Sequence, residues 1–466
     1  MGRNPPGPGT PSRTTEPGET GDPEANETPS DLSASAMTRW HPEFSCWGEA
    51  SFAAKEPIDT EMLAKFARRG RFPLRSPCPN SCLFCYERNM SRMIPNSHLA
   101  RLPVLTQQAF DYILEQASAV NLPLDPGSSR MTLPDGSVIF FSFSDFFSQG
   151  LSVEQIDRLL THNEQRPPVP YLYTNAQTLE PRMARLLSER HPSSFLLYVS
   201  VFTFNDGIKI RLVPKWPGSR NLLEILPNLP QAVVYLTHFS FEQTIADLRT
   251  INDHAHPSEP PIVILSRLHY NRIHPPVIRE LAEGGLSEVP RLMEHLAKHP
   301  RDLPNIGSIA VQFPSTAYVW LFREFLGEKL AALDLGEGDV VLSSRAAYPV
   351  LGRLLAGSRA EVHGVADPLG GSTDFATTVT TPNLIARAKT LKGGGTRVKR
   401  IVVPSSMWPF DGRCMAGHTV DDLRDSFPGV DVSVVDIPAD YISSSLTIEQ
   451  TLNFFESGGS GMLEEV

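Results

Sequence analysis

The chain has 466 residues, 41% of them hydrophobic and 20% charged, which excludes a mini-protein or a fibrous chain and leaves room for two or three domains. Forty-two basic against fifty-two acidic side chains give a net charge of −10, so no protein-wide positive field exists to gather phosphate backbones, and a nucleic-acid partner is not expected. No apolar run approaches the roughly 18 residues of a membrane span. The polar start, together with only five cysteines, an odd number, predicts a cytoplasmic protein without a disulfide framework or membrane contact.

Residues 1–36 hold one large aliphatic side chain, Leu32, among seven prolines from Pro5 to Pro29. Ordering each residue costs about 1 kcal/mol or more, against roughly 2 kcal/mol for one buried leucine, so a disordered tail is predicted. Residues 37–70 form an N-terminal extension. A core over 71–306 follows, beginning with a strand-like Phe72–Ser76. Phe110, Ile113, Leu114 and Ala117 then recur at helical spacing. Val138–Phe143 reads as a strand, followed by the helical stripe Val153, Ile156, Leu159 and Leu160. The pattern repeats with strands at Val169–Thr174, Phe195–Phe202, Ala232–Thr237 and Ile262–Ser266, each followed by a helical stripe. Strand and helix alternating in this way predict parallel strands joined by right-handed crossovers, as a barrel or an open doubly wound sheet. Either architecture places its chemistry at the carboxyl ends of the strands. A smaller α/β domain is expected over 307–442, with strands near 340–342, 361–365, 400–403 and 431–435. Residues 443–466, containing Ser-Gly-Gly-Ser-Gly, read as a frayed tail.

Chemistry concentrates in Cys78-Pro-Asn-Ser-Cys82-Leu-Phe-Cys85, spaced C-x3-C-x2-C. Soft thiolates select zinc, copper(I) or iron–sulfur clusters. Three thiolates on one loop can ligate three irons of a four-iron cluster and leave the fourth open. Structural zinc needs four closed ligands, for which His41, Cys46 and His98 are the nearby candidates, none at zinc-finger spacing. A zinc-stabilised binding or regulatory protein is therefore the alternative. A buried packing trio is a third reading.

This loop, with Phe84 in its aromatic position, preceded by a strand and followed by repeated β/α units, resembles the radical S-adenosylmethionine (SAM) superfamily. The resemblance implies a partial (β/α)6 TIM-like barrel and a 4Fe-4S cluster on Cys78, Cys82 and Cys85. It further implies reductive cleavage of SAM to a 5′-deoxyadenosyl radical that abstracts hydrogen from a substrate. An electron donor such as flavodoxin or ferredoxin would be a partner, and the substrate is a small molecule or peptide of unknown identity. Within the superfamily the sequence is most similar to uncharacterised members with a PDZ-like N-terminal part and a C-terminal domain of unknown function. The shared features there are Val199-Ser-Val-Phe-Thr203 and the late Val403-Pro-Ser-Ser-Met407.

The resemblance also implies SAM contacts. Ser142, Ser144 and Asp145 occupy the position of the family's Gly-Gly-Glu motif. Thr174 and Asn175 match a Thr-Asn at the third strand end, Ser200 ends the fourth strand, and Arg211 stands where a cation could meet the SAM carboxylate. His238, after the fifth strand, and His269 and Tyr270, after the sixth, are the candidate catalytic, substrate-facing residues. Lys209 is grouped with Arg211, Lys215, Arg220, Arg267 and Arg272 as charges after strand ends, for an anionic substrate or simply solvated. Cys46 and Cys414 are too few for a second cluster, and a small packing role is expected for each.

Overall fold

The structure is a computed structural model that describes Cys82, Leu83, Gln107–Ala119, Asn121 and, with breaks, residues 129–464. The longest breaks are 165–170, 269–275, 367–378 and 438–444. The expected tail, the extension and the first strand at Phe72–Ser76 lie outside the described residues.

The apolar stripe of α1 (Gln107–Ala119) is buried as its spacing requires. Next, β1 (Ser129–Thr132) and β2 (Val138–Phe141) pair antiparallel, Ser129 opposite Phe141, as a separate two-stranded sheet. The expectation of a parallel barrel strand at Val138–Phe143 is thereby corrected. The connecting sequence Leu133-Pro-Asp-Gly-Ser137 is turn chemistry, and so short a connection permits only an antiparallel neighbour.

Beyond it come α2 (Val153–Asn163), β3 (Tyr171–Thr174), α3 (Pro181–Arg190), β4 (Leu196–Phe202), α4 (Asp206–Leu212) and α5 (Arg220–Ile225). The alternation continues through β5 (Val233–His238), α6 (Phe241–His254), β6 (Ile262–Arg267), α7 (Pro276–Glu283), α8 (Val289–Lys298) and β7 (Ser308–Val311). Strands β3 to β7 form one parallel sheet in chain order. Among the described residues this sheet has five strands and is not closed, and the first strand of the expected partial barrel lies outside them. Leu172, Val199, Val201, Leu236, Val263 and Leu265 face the helices and form the main core. The opposite face carries Tyr173, Tyr198 and Tyr235, with ring centroids 5.3 and 5.7 Å apart across adjacent strands. Side chains alternate along each strand, so every strand contributes to both faces.

The chain then builds α9 (Ser315–Leu321), α10 (Arg323–Ala331), β8 (Asp339–Ser344), α11 (Tyr348–Leu354), β9 (Glu361–Val365), α12 (Thr381–Gly393), β10 (Arg400–Pro404), α13 (Val420–Asp425) and β11 (Asp431–Val435). The second sheet is parallel throughout, in the order β11-β10-β8-β9. Val340, Leu342, Ile401 and Val403 pack on one face with Leu384 and Leu423. Val341, Val402 and Val435 pack on the other with Leu326, Leu330 and Leu351.

Two boundaries move. The domain break expected between 306 and 307 falls before β7, yet β7 is hydrogen-bonded to β6 and belongs to the first sheet. The segment expected as a frayed tail is folded: Leu446 exchanges both backbone hydrogen bonds with Val311 at 2.8 Å, and α14 (Ile448–Phe454) and α15 (Ser460–Glu464) follow. Phe454 is fully buried, and a Cβ on Gly459 would lie 2.5 Å from its ring, so glycine is what lets the backbone close over it. Among the described residues no helix is long and apolar enough to cross a membrane.

Candidate functional site

The carboxyl end of β4 is the most irregular point of the first sheet. Its register against β5 shifts between Ser200 and Phe202, and Phe202 has φ 62°. Thr203 N donates to Val201 O at 2.8 Å, closing a γ-turn around Phe202, a strained conformation for a side chain of that size. Asn205 then starts α4, its Oδ1 accepting from Ile208 N at 3.2 Å.

Lys209, Leu212, Val213 and Trp216 recur at i, i+3, i+4 and i+7, which turns Lys209 inward with the apolar residues. Its side chain is 1% exposed. Nζ donates to Val201 O at 2.6 Å and sits 3.6 Å from the centroid of the Trp216 ring. Burial pushes the Lys209 ammonium down to about 7, opposed by the negative charges of Asp206, Cys82 and Asp247. Burial also raises the carboxyl of Asp206, but hydrogen bonds from Ser219 and Trp216 outweigh it and hold that carboxyl below its usual range. Burial dominates at Asp247 and raises it, although Phe204 N and Gln243 Nε2 donate to its Oδ1.

The cysteine loop meets this helix. Leu83 N donates to Leu212 O at 2.9 Å, and Cys82 and Leu83 pack against the cluster of Leu212, Val213, Phe239 and Leu268. Cys82 is half-buried and forms no disulfide. Cys78, Cys85, Phe84, Ser142, Ser144, His269 and Tyr270 lie outside the described residues. Among the described residues no group of three or more His, Cys, Asp or Glu side chains could hold a metal. Cys82 fits a sulfur ligand: it is in no disulfide and is walled by apolar side chains.

The other expected residues divide by strand face. Ser200 is buried on the tyrosine face of β4, opposite Tyr235 in register, and remains a candidate contact. Thr237 and Ser266 pair in register on that same face at the ends of β5 and β6, and both were missed. The signal was the alternation itself, because Tyr235 and Ile264 stand two residues upstream of each.

His238 is corrected by the same alternation. One residue beyond Thr237, it turns to the helix side, where Nδ1 accepts from Thr244 Oγ1 and Nε2 donates to Gly285 O, both at 2.8 Å. Its ring stacks on Phe313. Both nitrogens are occupied and burial holds the imidazolium down, so His238 braces the fold rather than facing a substrate.

Asp145, Thr174 and Asn175 come together at the end of β3, bound to one another. Asp145 accepts from Asn175 N and Phe147 N, each at 3.0 Å, and from the hydroxyls of Thr174 and Thr178. Burial raises its carboxyl, against the lowering effect of those donors. Thr174 Oγ1 accepts from Ala176 N, and Asn175 Oδ1 accepts from Gln177 N, which hold Ala176 at φ 61°. Asp145 therefore fastens the turn after β3. Arg211 projects from α4 to Glu280 at 3.3 Å on the surface. The cation that α4 turns inward is Lys209, so the assumption that it was a loop charge is also corrected. Cys414 is buried in the second core, with Thr381 Oγ1 donating to its Sγ at 3.5 Å.

No protein-family model and no curated protein matches the chain. Similar solved structures include SuiB of Streptococcus suis bound to precursor peptide SuiA, at 12% identity over 63% of this chain and 64% of that chain, TM-score 0.33. SuiB bound to S-adenosylmethionine is similar at 12% identity, 60% and 61% coverage and TM-score 0.32. A further SuiB structure gives 13%, 62%, 63% and 0.33. The chain thus spans less than two thirds of the SuiB chains it matches, and a likeness of this degree transfers no activity.

Proposed function

We propose that the protein is a radical SAM enzyme whose Cys78, Cys82 and Cys85 hold one 4Fe-4S cluster. The observation that carries this reading is the C-x3-C-x2-C loop together with the anchoring of Leu83 to α4, directly beyond the carboxyl end of a central parallel strand. Carboxyl ends are where parallel α/β sheets conduct chemistry. When bound, the cluster and SAM would supply one-electron cleavage of the sulfonium and a carbon radical.

The chain's own residues do the positioning. Lys209 holds a positive charge in an apolar setting beside Cys82, where a charge acts more strongly than in water. Leu83, Leu212, Val213, Phe239 and Leu268 keep water from that side of the loop. Ser200, Thr237 and Ser266 offer hydroxyls on the face away from the helices. The substrate is a small molecule or peptide.

Anaerobic reconstitution with iron and sulfide tests the proposal. The expected result is a brown protein with about four irons per chain that releases 5′-deoxyadenosine from SAM on reduction. A colourless protein carrying one zinc per chain and no sulfide would overturn it.

A further inference from the structure

The second sheet has a topological switch point. From β8 the chain leaves toward β9 on one side, and from β10 toward β11 on the other, so the connections diverge between the adjacent carboxyl ends of β8 and β10. Ligands of open parallel sheets bind in such crevices. A cavity of about 120 Å³ lies there, roofed by α9 and α10. Tyr318, Phe322 and Leu326 line it from the helices, and Val341, Val402 and Val435 from the strands.

Two serines whose side chains fall on the cavity's side line it at the strand ends: Ser343, on the same face of β8 as Val341, and Ser406, from the Pro-Ser-Ser-Met segment after β10. Ser343 and Ser406 are 4% and 5% exposed, and neither hydroxyl hydrogen-bonds to another described group. Ser405, between Pro404 and Ser406, differs: its Oγ accepts from Ile437 N at 2.9 Å and ties β10 to β11. Hydroxyls that the fold leaves without a partner and that open onto a crevice are free to bond a ligand's polar edge, each such bond contributing about 1 kcal/mol.

The lining also fixes the ligand's character. Among the described residues it contains no charged side chain, so a phosphate or carboxylate would be stripped of water without compensation. Aromatic and branched side chains on both walls suit a flat apolar body. We infer that this crevice binds an uncharged heteroaromatic ring of the nucleobase class, its edge hydrogen-bonded by Ser343 and Ser406.

Calorimetric titration of the full chain with adenine, indole and adenosine monophosphate tests the inference. Adenine is expected to bind, indole and the monophosphate at least about tenfold more weakly, because the first lacks edge acceptors and the second brings an unpaired charge. Ser343→Ala and Ser406→Ala, made singly, should each weaken adenine about tenfold while leaving the melting temperature and the iron content unchanged. Absence of adenine binding at millimolar concentration would overturn the inference. Equal binding by wild type and both variants would overturn it too, since it places adenine elsewhere on the chain.

Discussion

The two parallel sheets treat charge in opposite ways. At the carboxyl ends of the first sheet, Asp145, Lys209, Asp247 and His238 are all buried. At the carboxyl ends of the second, the buried polar groups are hydroxyls, and its partly buried ion pair, Asp339 with Arg400, sits at the amino ends of β8 and β10. Burying ionisable groups is costly, so a fold that does it four times around the ends of β3, β4 and β5 has invested that region in holding charge and geometry. Among the described residues the second sheet buries no ionisable side chain at its corresponding edge. Similar strand-and-helix construction thus yields one end fitted for ions and another fitted for uncharged molecules.

The sharpest way to break this contrast is at Cys82. Cys82→Ala, Cys78→Ala or Cys85→Ala should each abolish iron binding and 5′-deoxyadenosine release, whereas Cys46→Ala and Cys414→Ala retain both; iron and sulfide analysis of each purified variant decides. Next in size is Asp145→Ala, which leaves Asn175 N and Phe147 N without their acceptor in a buried turn. A loss of about 3 kcal/mol in urea-unfolding free energy is expected, and a loss under about 1 kcal/mol would refute the fastening role. Gly285→Ala would set a methyl 2.8 Å from the His238 ring and about 3.0 Å from Phe239 O, and should cost about 2 kcal/mol by the same measurement.

His238 gives a pH signature. Its folded-state pKa lies below the ordinary value of about 6.5, so the unfolded chain binds more protons just below neutrality. Its contribution is fully present above about pH 6.5 and is lost as pH falls through the folded value. Unfolding curves at pH 5 and 7 should show a gap between wild type and His238→Gln that narrows at the lower pH. The smallest effect expected on stability is that of Lys209→Met, within about 1 kcal/mol, because an apolar chain of similar length replaces a buried cation. The same variant should keep its iron yet shift the cluster's midpoint potential to a more negative value in protein-film voltammetry.

Much of this was legible in the sequence where period and burial agree. The stripe Val153, Ile156, Leu159 and Leu160 became α2, and strands read at 361–365 and 431–435 recur with the same limits. What failed was short or compositionally ambiguous. β1, Ser-Arg-Met-Thr, has no apolar run and exists through pairing with β2. The segment Ser-Gly-Gly-Ser-Gly looks like a linker until the ring of Phe454 gives its glycines a reason to be there. At the site, strand ends were located well, but which face each polar residue takes was not read from the alternation. Hence His238 was chosen over Thr237, and Arg211 over Lys209, although the i, i+3, i+4, i+7 stripe already ran through the lysine.

The bridge between Val311 and Leu446 bears on how the protein is made. β7 is the last strand of the first sheet, and one side of it is bare until a segment beyond the whole second sheet arrives to pair with it. On the ribosome the first sheet therefore waits, with an unsealed edge, for later chain to be synthesised. A nascent chain stalled between the two sheets would be sticky, and any chaperone that serves this protein has its natural target there.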